Sequence, residues 1–364
     1  MRRPRPRTRV GPAQPPRAAA HKVELVFLPG LEEIVRDEVA EVLPQVRSVW
    51  QVRGRDDAVG FKFTGELRRL LALRTVVAPF ILLEFAITNP RQLLAGDFFP
   101  AVVDAVRSAA SADSRRRPRS LRIDAAGSDS SALTKLATQL SAATGLSHDP
   151  ADGECVIRIR RSPAGPHWDV LVRLGARPLS ARPWRVPGHP AALNATVAAA
   201  MIRLSEPDER QRVANLMCGS ATLLIERLLV RPASHAIGCD IDPAAVRLAK
   251  QNIGAAGLTS RVVLRNNGIE EDEWLSGGPY DVLLADPPWG DKSGRHDTNE
   301  ELHRTLLRRA AVASRRGSKL VVLTHEVKIM TRCIREASDA WQLSSATRVF
   351  QKGHHPRIYL LERT

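Results

Sequence analysis

The 364-residue sequence is poor in cysteine, in aromatic residues and in long apolar runs. Its four cysteines have no Cys-x-x-Cys spacing and no histidine beside them, so neither a zinc site nor a disulfide framework is indicated. Aromatic residues make up 4%, so Val, Leu, Ile and Ala must fill most of the core. No run of 18 or more apolar residues occurs, which excludes a membrane-spanning helix. With 43% hydrophobic and 26% charged residues, wholesale disorder is also excluded.

Acidic residues are missing from the first 20 positions, which hold six arginines, and the whole chain carries a net charge of +15. Such a balance favours polyanionic partners, meaning nucleic acid or an anionic membrane surface, over the alternative of a merely solvated basic surface. The N-terminus lacks the apolar stretch of a secretory signal, and we expect a cytoplasmic protein. Five prolines among residues 1–21 favour a disordered Arg/Pro-rich tail, with an organelle transit peptide as the alternative.

The front half is predicted to contain two α/β units. Residues 22–89 show the order β-α-β-β-α-β of a ferredoxin-like domain, with its second helix over Glu66–Val77. Residues 90–178 alternate helices and strands again and include the basic loop Arg115–Arg119. Residues 179–190 are rich in proline and arginine, which is typical of a linker.

From residue 191 onward, helices alternate with short apolar strands. This pattern predicts a mostly parallel sheet with helices on both faces, the Rossmann-like arrangement. Val349–Lys352 and Ile358–Leu361 are predicted to close that sheet as an antiparallel pair.

Two strand ends in this half suggest a nucleoside cofactor. The segment Val213–Thr222 runs from a strand through small residues into a helix, a turn that lets a ligand approach the backbone; a plain tight turn is the alternative. Asp240 ends the next strand about 20 residues beyond the glycine turn, where an acid can accept both ribose hydroxyls. Asp242-Pro243 is predicted to cap the following helix.

The sharpest motif is Asp286-Pro287-Pro288-Trp289-Gly290, directly after the strand Val282–Ala285. Two consecutive prolines hold the backbone extended and remove two N–H donors. A carboxylate, exposed carbonyls and an indole remain, and this acceptor-rich edge suits a planar ring with an exocyclic amino group. The alternative is a rigid turn with a core tryptophan.

These motifs in this order resemble class I S-adenosylmethionine methyltransferases that act on amino nitrogens of bases. The front half, with Leu28-Pro-Gly-Leu-Glu-Glu33, is similar to the ferredoxin-like plus THUMP region of RNA methyltransferases. The combination resembles the tRNA guanosine-N2 methyltransferases of the THUMP family, and the segments Gly290–Gly294 and Asn299–Leu302 resemble the subgroup acting on position 6 of the acceptor stem. The resemblance covers residues 22–364, with the methyltransferase domain at 191–364.

The resemblance implies S-adenosylmethionine as cofactor, RNA as partner with tRNA favoured, and roles for particular residues. The implied catalytic residues are Asp286, Pro287, Pro288 and Trp289. The implied cofactor-binding residues are Asn215, Met217, Cys218, Gly219, Thr222, Asp240, Ile241, Asn267, Gly268 and Asp286. The implied RNA-binding residues are Arg115, Arg116, Arg117, Arg119, Arg182, Arg185 and Lys292.

The sequence departs from the family pattern at four motif positions. At one of them, Leu216 replaces a proline. Asn215 replaces an acid, Ala221 replaces a glycine, and Asn267 replaces an acid near the adenine amino group. An asparagine still accepts through its carbonyl oxygen, though less strongly than a carboxylate. Two alternatives therefore stay open: the same fold acting on ribosomal RNA or on other base amino groups, and a non-catalytic RNA-binding protein with a decayed cofactor site. His354 and His355 lack a third ligand nearby, and we expect no metal.

Deleting residues 2–17 should flatten the slope of log affinity for RNA against log salt and weaken all RNAs alike. Each phosphate contact of an arginine adds about 0.7–0.9 to that slope and reads no base. Filter binding of the full-length and trimmed proteins over a salt series measures the effect, and turnover at saturating RNA should be unchanged. Equal slopes would show that the tail does not engage phosphates.

Overall fold

The front half of the chain forms one eight-stranded sheet in the computed structural model, which describes residues 20–186, 193–288, 296–351 and 353–364. The strand order is β2-β3-β1-β4-β8-β7-β5-β6, and β1 pairs antiparallel with both β3 and β4. The strands are β1 Ala20–Val26, β2 Val49–Gln51, β3 Ala58–Thr64, β4 Ala78–Phe85, β5 Ser120–Asp124, β6 Ser147–His148, β7 Cys155–Arg161 and β8 Trp168–Arg173.

This sheet runs without a break across the predicted boundary at residue 89. β4 from the first predicted unit pairs antiparallel with β8 from the second, with Glu84 opposite Asp169. The helices are α1 Glu32–Val42, α2 Phe98–Ser111 and α3 Ser131–Thr144. The two units therefore share a sheet, and most of their buried apolar residues belong to one hydrophobic cluster.

The helix predicted over Glu66–Val77 is wrong in length and type. The structure has a 3₁₀ segment at Leu67–Ala72, after which the backbone becomes extended at Leu73. The reason is the buried carboxylate of Glu38, which accepts from the N–H of Arg74 at 2.8 Å and of Thr75 at 2.9 Å. Since an i→i−4 helix would bond these amides to its own carbonyls, the tertiary contact ends the helix.

The second half confirms the predicted Rossmann-like sheet. Its order is β11-β10-β9-β12-β13-β15-β14, parallel from β11 to β13, with β15 antiparallel to both of its neighbours. The strands are β9 Arg212–Leu216, β10 His235–Cys239, β11 Val263–Arg265, β12 Tyr280–Ala285, β13 Ser314–Thr324, β14 Trp341–Arg348 and β15 Arg357–Arg363. The helices are α4 Ala195–Leu204, α5 Thr222–Val230, α6 Pro243–Ala255, α7 His296–Val312 and α8 Val327–Glu336, with 3₁₀ segments at Thr259–Arg261 and Leu275–Gly277. The front half has a further 3₁₀ segment at Pro90–Leu94.

The predicted strand Ile358–Leu361 lies within β15, but its predicted partner Val349–Lys352 is wrong for the described residues 349–351, because β15 pairs with β13 and β14. Lys352 lies outside the described residues. The segment after β14 docks instead on the front half, where Phe350 N–H donates to Pro29 O at 3.0 Å. Gly30 has φ +93°, and a Cβ there would lie 1.9 Å from the carbonyl oxygen of Arg348. Only glycine fits this junction, since both the left-handed backbone and the close approach exclude a side chain.

A buried ion cluster joins the two halves. Glu226 on α5 is fully buried, and its carboxylate accepts from Arg182 Nε and Arg74 Nε, both at 2.8 Å. Arg182 Nη2 also donates to the carbonyl of Arg74 at 2.7 Å. The carboxylate in the second half therefore holds arginines from the front half and from the segment that connects them.

Replacing Glu226 by alanine should lower the free energy of unfolding by about 3–5 kcal/mol, since Arg182 would stay buried without a counter-charge. Urea denaturation followed by circular dichroism measures the change. Glu66, 65% exposed and paired with the 72% exposed Arg68, is the matched control. Glu66→Gln should change stability by less than about 1 kcal/mol. Equal stabilities of the two variants would contradict the assigned role.

Candidate active site

A cleft of about 450 Å³ opens at the carboxyl ends of β9, β10 and β12. This edge is the switch point of the parallel sheet, since the chain order runs outward from β9 in both directions. The predicted cofactor residues all line it: Asn215, Met217, Cys218, Gly219, Thr222, Asp240, Ile241, Asn267, Gly268 and Asp286. Sequence reasoning missed further lining residues, namely Leu193, Ser220, Leu223, Cys239, Asp242, Ile269, Glu270 and Leu302.

The turn between β9 and α5 forms one wall of the cleft in a left-handed backbone. Met217, Gly219 and Ala221 have φ values of 50°, 52° and 61°. For a residue with a Cβ this conformation costs about 1–2 kcal/mol, and strain of this kind is typical of ligand sites. Ala221, which stands where the resembled family has glycine, is fully buried and still adopts the glycine-like conformation.

Asp240 fastens this turn to the end of β10. Its carboxylate accepts from Gly219 N–H at 2.7 Å and from Asp242 N–H at 3.0 Å. Asp242 in turn caps α6 by accepting from Ala244 N–H at 2.8 Å, which confirms the predicted cap. Ile241 beside it is 72% exposed, an apolar surface at the rim that a planar ring can cover.

Two buried amide oxygens in the cleft lack a donor. Asn215 is 1% exposed and Asn267 is 5% exposed, and Oδ1 of each has no hydrogen-bond partner among the described residues. The Asn215 amide nitrogen donates to Leu284 O at 3.2 Å, while that of Asn267 lies 3.5 Å from Glu273 Oε2. Leaving a buried acceptor unpaired costs about 1–3 kcal/mol, so both oxygens fit a ligand that brings N–H groups.

The Asp286-Pro287-Pro288 segment borders the cleft at the end of β12. Asp286 is half-buried and Pro288 is exposed, and both line the cleft, while Pro287 is buried beside them. Trp289 and Lys292 lie outside the described residues. Asp286 thus lines the same cleft as Asn215, whose Oδ1 has no hydrogen-bond partner among the described residues.

Buried thiols also line the cleft. Burial raises the pKa of the Cys239 thiol to about 12, and burial with the Asp240 charge raises that of Cys218 well above its usual range. Both are therefore neutral thiols near pH 7, which argues against a nucleophilic cysteine in this part of the site.

The predicted RNA-binding arginines fall into two groups. Arg115, Arg116, Arg117 and Arg119 are exposed on the loop between α2 and β5, as expected of phosphate contacts. Arg182 differs from them: it is 8% exposed and paired with Glu226, a burial that disfavours the predicted RNA contact. Arg185 is half-buried and donates to Thr222 Oγ1 at 3.1 Å, beside the cleft.

A polar relay that sequence reasoning missed connects the linker to the same turn. Asn252 on α6 is 1% exposed, accepts from Val186 N–H at 2.8 Å and donates to Ser220 O at 3.0 Å. The sequence does not single out Asn252, because only the folded structure brings its two hydrogen-bond partners close to it.

Within the described ranges, one grouping of possible metal ligands occurs away from the cleft. The ligand atoms of Glu84, His167 and Asp169 lie within 4.8 Å of one another. Lys22 pairs with Glu84, and Arg160 lies 3.4 Å from Asp169. The carboxylates of Glu84 and Asp169 therefore already have cationic partners, and we assign no metal ion to this group.

No described helix is both long and apolar enough to cross a membrane. Residues 182–357 match the family model described as "RMKL-like, methyltransferase domain". The chain is 29% identical over 179 residues to a tRNA (guanine(6)-N2)-methyltransferase of Archaeoglobus fulgidus, an alignment covering 42% of this chain and 45% of that protein. The chain thus spans less than half the length of this curated relative.

Solved structures share the fold over nearly the whole chain. TrmN from Thermus thermophilus superposes with a TM-score of 0.71 at 23% identity, covering 95% of this chain and 100% of that one. SMU.472 complexed with SAH superposes with a TM-score of 0.68 at 15% identity, covering 95% and 98%. The predicted Rossmann-like fold of the second half is thereby confirmed.

Proposed function

We propose that this chain, whose residues 182–357 match the model of the RMKL-like methyltransferase domain, methylates RNA. The reaction is transfer from S-adenosylmethionine to the exocyclic N2 amino group of a guanosine in tRNA, with position 6 of the acceptor stem favoured. The observation that carries the proposal is the single cleft that gathers the predicted cofactor residues and Asp286. The activity for which the A. fulgidus relative is named supports the choice of base and RNA.

The residues present fit the proposed cofactor. Asp240 lies where a carboxylate can accept from ribose hydroxyls, and Asn267 Oδ1 is an unpaired acceptor for an adenine amino group. Asn215 Oδ1, on the β9 side, is likewise an unpaired acceptor for an ammonium group. S-adenosylmethionine supplies a methyl group on a sulfonium, so that much of the rate gain can come from alignment by these residues.

Asp286 is the residue proposed to act on the base. The lone pair of the guanine amino group is delocalised into the ring, which makes the nitrogen a poor nucleophile. Accepting N–H bonds at the Asp286 carboxylate and the Pro287 carbonyl favours a more tetrahedral nitrogen and stabilises the positive charge that develops there. Trp289, as the sequence predicts, would stack on the base.

The front half is proposed to bind the RNA. Residues 22–89 and 90–178 would act as ferredoxin-like and THUMP units that grip phosphates and shape, because paired RNA exposes little readable sequence. Arg115, Arg116, Arg117 and Arg119 are the exposed candidates, and Lys292 is a further one from the sequence. The target nucleotide must leave its helix at a cost of a few kcal/mol to reach Asp286.

Mass spectrometry of nucleosides from cells with and without the protein tests this function. Loss of N2-methylguanosine from tRNA supports the proposal, and loss from ribosomal RNA alone would move the substrate to the first alternative. Failure of the purified protein to bind S-adenosylmethionine would favour the non-catalytic RNA-binding alternative.

Asp240→Ala should weaken S-adenosylmethionine binding by roughly 1.5–3 kcal/mol, the scale of hydrogen bonds to a charged group. It also frees the Gly219 amide, so Asp240→Asn, which keeps one acceptor, should lose less. Isothermal calorimetry measures both variants. Unchanged affinity of Asp240→Ala would reject the assignment.

Asp286→Ala should lower turnover by about two to three orders of magnitude, since removing one charge-stabilising group has this effect elsewhere. Cofactor and RNA affinities should stay nearly intact, which calorimetry and filter binding check. Arg210, whose side chain is 88% exposed, serves as a surface control through Arg210→Gln. Near-normal turnover of the Asp286 variant would contradict the proposed catalytic role of this residue.

A further inference from the structure

Two linker arginines three residues apart have different surroundings. Arg182 is held by Glu226, but Arg185 Nη2 donates to Leu193 O at 2.7 Å and to Thr222 Oγ1 at 3.1 Å. Leu193 and Thr222 both line the cleft. The guanidinium of Arg185 therefore stands directly behind the cleft wall.

The charge of Arg185 is not balanced by a dedicated partner. Within the described part of the chain no carboxylate forms a salt bridge with it, since Glu226 is already engaged by Arg74 and Arg182. Its Nε is buried without a hydrogen-bond partner among the described residues. Burial lowers the pKa of Arg185, and the charge of Glu226 offsets this effect only in part. An anion bound in the cleft would supply the missing negative charge.

The neighbouring groups define what kind of anion fits. Thr222 begins α5, whose N-terminus carries positive dipole character, and its hydroxyl lies 3.1 Å from that of Ser220. The same cleft holds the buried, unpaired Asn215 Oδ1, an acceptor for N–H groups. The donors and the positive charge on this side of the cleft, together with the Asn215 acceptor in the same cleft, match an α-amino acid group, with its carboxylate and its ammonium.

We propose that Arg185 is a positioning residue for the α-carboxylate of the methionine moiety of the cofactor. Thr222 Oγ1 makes the direct contact, Arg185 orients that hydroxyl and supplies the charge, and Asn215 Oδ1 accepts from the α-ammonium. This inference rests on the proposed function and extends it to a residue of the linker. It also replaces the RNA-binding role that the sequence predicts for Arg185.

Calorimetry with two ligands tests the assignment. S-adenosylhomocysteine carries the α-amino acid group, whereas 5′-methylthioadenosine keeps the adenosine and the thioether but lacks that group. Arg185→Gln should weaken S-adenosylhomocysteine binding about 10- to 100-fold, the scale of bonds to a charged group, and leave methylthioadenosine within about twofold. Arg185→Lys should recover part of the loss, because the charge is kept.

Two controls keep the outcome decisive. Thr222→Val removes the hydroxyl at nearly constant shape and should reproduce the selective loss even if Arg185→Gln folds poorly, while Arg210→Gln should affect neither ligand. Equal weakening of both ligands in the Arg185 and Thr222 variants, or unchanged binding of S-adenosylhomocysteine, would overturn the inference. Wild-type protein that binds neither ligand would instead reject the proposed function itself.

Discussion

The bond between the Asp240 carboxylate and the Gly219 amide, 2.7 Å long, is the contact on which the site depends. It joins the turn after β9 to the end of β10, so two adjacent parallel strands present their carboxyl ends as one wall. The same carboxylate accepts from Asp242 N–H, and Asp242 caps α6. A single side chain thus fixes the turn, the neighbouring helix and the cleft between them.

The front half is held close to that wall by buried polar contacts. Glu226 on α5 pairs with Arg74 and Arg182, and three residues further on in the linker Arg185 reaches Thr222, the first residue of the same helix. Asn252 makes a second connection, because it is hydrogen-bonded to both Val186 and Ser220. Because α5 carries both the junction and part of the cleft, the front half is anchored to the same helix that forms the cleft wall.

Local sequence patterns predicted most strands and helices of the second half, because parallel strands are apolar throughout and the functional residues follow their carboxyl ends. Asp240 and Asp286 could be placed from sequence, since each directly follows such a strand. Glu38 could not be expected to end a 3₁₀ segment at Ala72, nor could Arg182 be expected to be buried. The partner of Arg182 lies 44 residues away, and its burial depends on tertiary structure that no periodicity encodes.

The departures from the family pattern are compatible with a working site on physical grounds. An aspartate at 215 could not donate to Leu284 O, whereas Asn215 does so and still presents an acceptor to the cleft. Asn267 lies close to Glu273 in a segment that also holds Glu270 and Glu271, where another carboxylate would add like-charge repulsion. An amide at 267 avoids that repulsion and retains its acceptor. Ala221 also keeps the left-handed turn. The residues at positions 215, 221 and 267 thus each preserve the geometry or the hydrogen-bonding capacity that the position needs.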